Sequence, residues 1–598
     1  MSRAADTMAV GARLLALCFR TTPLSATAAI VLRLLTAVTF AAGGFALGHL
    51  VDSAQRGSMR GAAFAAVGAA VVLGADYILT GVCYTLRLYV VERVSLIDLD
   101  SEIVRDICGI EGVHHLEDPR YLDRLEVLRG SSWGLLDYAW GLVESVFNIL
   151  RLAAALLLLS SISFWLLALP AFALVPLWLE ARGQRVVVRT ETRTAEAARL
   201  ERHLFELLAA PGSNKELALT GAGADLAERA TGLWAQVARE RSRAQTVMLL
   251  ARAAGWLVFT IGFAGGLALV IWRAQRHHAG LGDIVLTVTV ATNLRAAIQG
   301  AVSRITETAG HGRLLEPYLW LKRYAAAQST RTAGAPVPRR LHRGITLNRL
   351  RYRYAAATEP ALDDVSLEIP AGSVVAIVGE YGSGKSTLVK LLCGLYRPGS
   401  GRIEVDGVPL DDIPAADWWE RVSVGFQDFG RYRTTLRAAV GLGRPPWMDD
   451  DERVTEALAA AGAADLPGLL RDGLDTPLGG ELGGVELSEG QWQKTALARA
   501  CMKPDPLLFV LDEPTAALDA ASEAAVFDHY IARARRLGAT HGTITVIVSH
   551  RFSTVADADL IVVMERGKVT EFGRHGDLVA AGRLYAELYG ISRDAFVS

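Results

Sequence analysis

Cysteine is scarce in this chain. Cys18, Cys83, Cys108, Cys393 and Cys501 are scattered, odd in number and without CxxC spacing, which argues against a disulfide framework and against a zinc site. Charge of one sign is lacking as well: 62 basic residues face 63 acidic ones, a formal net charge of −1. No global field therefore draws the chain to nucleic acid, which is not expected as a partner. Lysine is rare beside arginine, a compositional bias without mechanistic content. What is abundant is apolar surface: hydrophobic residues make up 51% of 598 and mean hydropathy is +0.27, too apolar for an ordinary soluble enzyme. Part of the chain is expected to lie in a lipid bilayer.

The clearest candidate span is Ala253 to Trp272, an uncharged run bounded by Arg252 and Arg273 and long enough for a helix to cross the hydrocarbon core. Leu152 to Leu179 is uncharged too, and Ser160, Ser161 and Ser163 divide the surrounding apolar region into two spans, about 136–158 and 162–180. Leu24 to Val51, interrupted by Arg33, and Ala62 to Leu86, interrupted by Asp76, add two more, and Asp283 to Ile305 supplies a last, more polar one. Six spans are expected. Long charged extensions with helical spacing, Tyr89 to Ser132 and Glu180 to Ser242, separate the second span from the third and the fourth from the fifth. Their arginines, including Arg182, Arg185, Arg189 and Arg193, place them and the N-terminus on the cytoplasmic side by the positive-inside bias. Residues 1–22 are read as an amphipathic helix on the inner membrane face rather than a signal peptide. Residues 23–324 then form the membrane domain. Residues 325–343, which include APVPRR at Ala335 to Arg340, form a linker, and 344–598 form a second domain.

That second domain carries the chemistry. Gly379, Glu380, Tyr381, Gly382, Ser383, Gly384, Lys385, Ser386 and Thr387 fill the phosphate-loop pattern GxxxxGK[ST] directly after the strand-like run Val374 to Val378. Glycines let successive N–H groups face nucleotide phosphates, Lys385 can reach the terminal phosphates, and Ser386 can hold Mg²⁺. Downstream, the apolar run Leu507 to Leu511 ends in Asp512 and Glu513, two carboxylates at the sheet edge where ligands collect. Asp512 is expected to hold Mg²⁺ through its water shell, and Glu513 to act as general base on the attacking water. ATP and Mg²⁺ are the expected ligands. Ser488 and Gly490 precede the amphipathic run Gln491 to Cys501, placing them at a helix N-terminus suited to an anion.

With these motifs in this order, the region from about Thr346 onward resembles an ATP-binding cassette domain, and the whole chain resembles a bacterial exporter half-transporter. LSEGQ, Leu487 to Gln491, is similar to the family signature LSGGQ except that Glu489 replaces a glycine. The resemblance implies that Tyr354 stacks on adenine, that Gln427 senses Mg²⁺ and the membrane domain, that Asp519 follows the Walker B strand, and that His550 is the switch histidine. It further implies that Ser488, Gly490 and Gln491 hold the γ-phosphate of the other subunit's ATP. One chain with one phosphate loop and one signature cannot then close a site alone, so a homodimer is expected. Leu116 to Leu128 and Ala209 to Gly221 resemble the two coupling regions of exporters and are expected to dock near Gln427.

The fold class expected is therefore multidomain: an all-α six-helix transmembrane domain plus an α/β P-loop cassette, in the bacterial inner membrane with the cassette in the cytoplasm. For cargo, Thr292, Arg295, Gln299 and Ser303 share one helical face of the last span, and Glu144 and Arg151 share one face of the third. Ionisable groups at membrane depth are expensive unless they face protein or a water-filled cavity, so these residues are read as a substrate cavity, the alternative being structural ion pairs. The wording of Gln427 to Tyr432 and of Gly483 to Ala500 resembles that of lantibiotic and other modified-peptide exporters. Peptide export by alternating access is the main reading, with leader removal left to another enzyme, since no peptidase domain precedes the first span. The alternatives are export of hydrophobic drugs or lipids and a membrane-anchored regulatory ATPase that moves no solute.

Overall fold

The computed structural model describes residues 3–56, 58–162, 164, 169–275, 288, 300, 310–328, 334–355, 357–513, 520–549 and 555–597. Contacts divide the chain into two units, Met1–Cys108 with Arg124–Arg323 and Gly109–Asp123 with Tyr324–Ser598. The second unit thus takes a short piece from inside the first extension.

The first unit is helical. It begins with α1 (Arg3–Thr21), α2 (Pro23–Gln55) and α3 (Met59–Arg93), the last continuing through a π-helical turn at Val94–Leu99 into α4 (Asp100–Cys108). There follow α5 (Ser132–Ile162), α6 (Leu169–Arg193), α7 (Ala195–Ala209), α8 (Pro211–Thr220) and the long α9 (Gly223–Gln275). Among the described residues three stretches are apolar and long enough to cross a membrane, Pro23–Val51, Met59–Cys108 and Gly223–Leu269. The expected six are not reproduced there. The third and fourth fall on α5, interrupted by Asp137, Glu144 and Arg151, and on α6, which runs into Arg182, Arg185 and Arg189. Most of Asp283 to Ile305, with Thr292, Arg295, Gln299 and Ser303, lies outside the described residues.

The apolar face of α1, which the sequence reading gives to the membrane surface, has a protein partner instead. Val10, Leu14 and Cys18 are buried, and a Cβ on Gly11 would come within 2.8 Å of Leu142 Cδ1 on α5. Small residues likewise let α9 approach α6, since a Cβ on Gly255 would lie 2.7 Å from Pro176 Cα. Such close approach is how helices associate where lipid offers no hydrophobic drive. Several charges in this unit are matched. Arg87 on α3 pairs with Glu144 at 3.0 Å and with Asp137, both on α5, His311 lies 3.2 Å from Asp137, and Arg252 pairs with the buried Glu180. Thr39 donates to Asp76 at 2.6 Å.

The second unit is built on two sheets. An antiparallel sheet has the order β2-β1-β4-β5, from β1 (Gly344–Tyr352), β2 (Leu362–Pro370), β4 (Ser400–Val405) and β5 (Val408–Pro409). The other has the order β10-β9-β3-β8-β7-β6, from β3 (Val374–Val378), β6 (Val422–Gly425), β7 (Leu508–Asp512), β8 (Ile544–Val548), β9 (Leu560–Glu565) and β10 (Lys568–Gly573). All its pairings are parallel except that of β10 with β9. Every residue of β3, β7 and β8 is buried, as expected of parallel strands covered on both faces. That burial explains why Val, Ile and Leu predominate in them. Parallel pairing aligns the carboxyl ends of β3, β6, β7 and β8 along one edge.

Candidate functional site: a nucleotide-binding edge

The phosphate loop leaves β3 and enters α10 (Lys385–Leu392), whose N-cap is Gly384 at φ 101°. Glycine is required there for a second reason, because a Cβ would lie 2.6 Å from Ala361 O. At Gly379, φ 150°, a Cβ would meet Met564 O at 2.2 Å. The loop is thus shaped by backbone crowding as well as by turn preference. Lys385 is buried and donates to Gly379 O and Glu380 O, each at 2.8 Å. Burial pushes its ammonium pKa down, and the charges of Glu513 and Asp512 push back. Thr387 is buried and Ser383 with it, whereas Glu380, Tyr381, Gly382 and Ser386 are exposed on the open side of the loop.

Asp512 ends β7 and is 5% exposed. Burial, then the charges of Glu513 and Asp428, push its carboxyl up to about 6, against the pull of Lys385 and a hydrogen bond from Ser386. Its Oδ1 is buried with no hydrogen-bond partner among the described residues. An orphaned carboxylate oxygen beside a serine hydroxyl, in a place where like charges are crowded, fits a hard divalent cation. Ser386, Gln427 and Asp512 would hold Mg²⁺, which would supply charge neutralisation at the phosphates when bound. Glu513 adopts φ 49°, a left-handed conformation uncommon for a residue with a side chain and often found at functional positions. It is fixed by its N–H to Val548 O at 3.0 Å, by Gln493 Nε2 to its carbonyl at 3.2 Å and by Gln427 Nε2 to its carboxylate at 2.7 Å. Gln427, two residues beyond β6, is therefore brought onto the general-base candidate.

Tyr354 hydrogen-bonds Thr387 through its hydroxyl at 3.0 Å. Its ring meets Tyr352 edge-on at 5.1 Å and Tyr396 at 5.8 Å. Tyr352 is a near neighbour in the chain, whereas Tyr396, 42 residues on, is brought to Tyr354 only by the fold. Together the three line a cavity of about 630 Å³ that also includes His114, Glu117 and Asp118. The segment 109–123 is fastened beside it. Val113 N donates to Leu395 O at 3.2 Å, Tyr396 OH donates to Glu117, and Arg397 pairs with Glu111 at 3.3 Å. These bonds run to residues 395–397, where Gly112 at φ 76° allows the chain to come close to Leu395 O. The other coupling candidate falls on α8, and its Leu219 is 90% exposed.

Ser488 caps α11 (Glu489–Cys501) with a capping box: its Oγ accepts from Gln491 N, and Gln491 Oε1 accepts from Ser488 N at 2.9 Å. Gly490 sits in the first turn, where an α-helix leaves N–H groups without intrahelical acceptors. Asp519 and His550 lie outside the described residues, and no structural role is assigned to them.

A family model described as ABC transporter matches residues 362–516. A relative named ATP-dependent lipid A-core flippase from Polaromonas sp. (strain JS666) is 32% identical over 467 residues, 78% of this chain and 75% of that protein. The chain belongs to the ABC transporter family. Relatives of the same name from Burkholderia orbicola and Chromobacterium violaceum are 41% identical over 41% of this chain and 33% identical over 61%. The matched region spans 40% and 61% of the length of those two proteins. In fold, the chain is similar to a solved structure titled "Structure of a bacterial Atm1-family ABC exporter with ATP bound". The TM-score is 0.76 at 24% identity, over 96% of this chain and 98% of that one. The resemblance of the cassette wording to peptide exporters gains no support from these relatives.

Proposed function

We propose that this protein is one half of a homodimeric, ATP-driven exporter of the bacterial inner membrane that moves an amphipathic lipid by alternating access. The arrangement of Lys385, Asp512 and the Gln427–Glu513 pair on one sheet edge carries the reading, with the signature turn at Ser488 offered to a second copy. Lys385 would hold the terminal phosphates, Glu513 would take a proton from the attacking water, and Gln427 would orient the Glu513 carboxylate. Tyr354 would stack on the base. His550 and Asp519 would complete the site as the family pattern implies, and the cassette would face the cytoplasm below six spans.

Lipid is favoured over peptide as the cargo class. The relatives carry the name lipid A-core flippase, and the match to the Polaromonas relative extends over 78% of the chain. Arg33 lies within an apolar helix, and with Arg295 it would give an anionic headgroup counter-charges at membrane depth. Thr292 and Gln299 would add polar contacts, while Glu144, already paired with Arg87, would serve the architecture. The test is ATPase activity and lipid translocation in proteoliposomes offered an anionic glycolipid, a neutral lipid or an amphipathic peptide. Stimulation and movement by the glycolipid are expected. Stimulation by peptide alone would restore the peptide reading, and hydrolysis without movement of any cargo would make the protein a regulatory ATPase.

A further inference from the structure

The signature turn of this chain carries a carboxylate where the family pattern has glycine, and the structure provides a partner for it. Arg431 Nη2 lies 2.5 Å from Glu489 Oε2. Arg431 belongs to the loop that leaves Gln427, and this loop is held to the signature region at successive residues. Gly430 O accepts from Arg499 Nη2 at 3.2 Å, the Tyr432 ring lies under the Arg499 guanidinium at 4.3 Å, and Arg433 pairs with Glu481. The loop that carries Arg431 is thereby braced on both sides of it.

The electrostatics explain why a partner is needed. A helix N-terminus is equivalent to about half a positive charge, and the capping box already engages the Ser488 N–H and the Gln491 N–H. The first-turn N–H groups left to an incoming anion are those of Glu489 and Gly490. A full negative charge on the Glu489 side chain would outweigh the helix field at that point. As a stabilising contact the pair is minor, since its side chains are 47% and 57% exposed and exposed pairs contribute little. Its significance lies in the field offered to the phosphate.

We propose that Arg431 is a positioning residue that cancels and holds aside the Glu489 carboxylate, so that this signature turn still attracts the γ-phosphate of ATP bound by a second copy. The bridge also ties the turn to the loop that carries Gln427, and so to Glu513 through the bond at 2.7 Å. The proposal rests on the homodimeric reading given above.

The experiment is steady-state ATPase of the full-length protein in lipid, against ATP concentration, for wild type, Arg431→Ala, Arg431→Lys, Glu489→Gly and Arg431→Ala/Glu489→Gly. Arg431→Ala is expected to raise KM roughly tenfold with kcat within about twofold, as one uncompensated charge near the phosphate should, and the rise should shrink at high salt. Arg431→Lys should recover most of the loss. In the Glu489→Gly background, removing Arg431 should change KM by less than about twofold, which is also the control for misfolding. An unchanged KM in Arg431→Ala, or a double variant as impaired as Arg431→Ala alone, would overturn the proposal while leaving the exporter reading intact. A wild type that turns over ATP at full rate as a monomer would overturn the exporter reading first, and this proposal with it.

Discussion

The two units handle buried charge in opposite ways. In the helical unit buried charges are paired with opposites: Arg87 is shared by Asp137 and Glu144, and Glu180 takes Arg252. At the nucleotide edge like charges are pressed together, with Asp512 beside Glu513 and within reach of Asp428. Its Oδ1 is left without a hydrogen-bond partner among the described residues. Matched charges are self-sufficient and build architecture, whereas mismatched ones wait for a cation and a phosphate chain. The contrast explains why Glu144, a plausible cavity group by its position in an apolar segment, is a weaker candidate for cargo than its sequence context suggests.

The comparison can be broken most decisively at Glu513. Glu513→Gln should keep ATP binding and lower turnover by roughly 10²- to 10⁴-fold, the usual contribution of a general base, as read by parallel nucleotide-binding and ATPase measurements. Normal turnover in that variant would remove the chemical meaning assigned to the crowded acids. On the matched side, Arg87→Met should leave two carboxylates without their cation and destabilise the helical unit by about 3–5 kcal/mol. Thermal unfolding in detergent would show it, and Arg87→Met combined with Asp137→Asn and Glu144→Gln should recover much of the loss. A smaller effect is expected at Tyr354. Tyr354→Ala should weaken ATP binding by about 1–3 kcal/mol, the scale of base–aromatic stacking, with kcat at saturating ATP little changed.

The smallest effect is a pH dependence at His115. This histidine is buried, and burial, followed by the neighbouring His114, holds its pKa below the ordinary value of 6.5. The folded state keeps it neutral while the unfolded segment takes up a proton, so its contribution is complete above that value and declines as pH falls below it. Hydrogen exchange across residues 109–123 should show less than about tenfold loss of protection between pH 7.5 and 5.5. Increased protection on acidification would mean that the ring is paired in a way this account lacks.

Much of the nucleotide edge was legible because it is written in consecutive residues. The phosphate loop, the strand ending in Asp512 and Glu513, and the capped turn at Ser488 each lie within a single short segment, and β3 matches the expected run Val374 to Val378. What escaped depends on distant pairs. Arg431 and Glu489 are 58 residues apart, Arg87 and Glu144 are 57 apart, and Tyr396 and Glu117 are 279 apart. Periodicity records which side chains share a face of one helix, not which helix covers that face. The α1 stripe shows this, since Val10, Leu14 and Cys18 would look the same against lipid as against α5.

Residues 109–123 are encoded amid the helical unit yet belong with the sheets. A cassette produced on its own from residue 344 onward would therefore be an incomplete object, with the hydroxyl of Tyr396 and the guanidinium of Arg397 bared to solvent where Glu117 and Glu111 normally sit. Supplying the missing fifteen-residue stretch as a separate peptide should restore the hidden surface, making this joint one that can be taken apart and reassembled in the test tube.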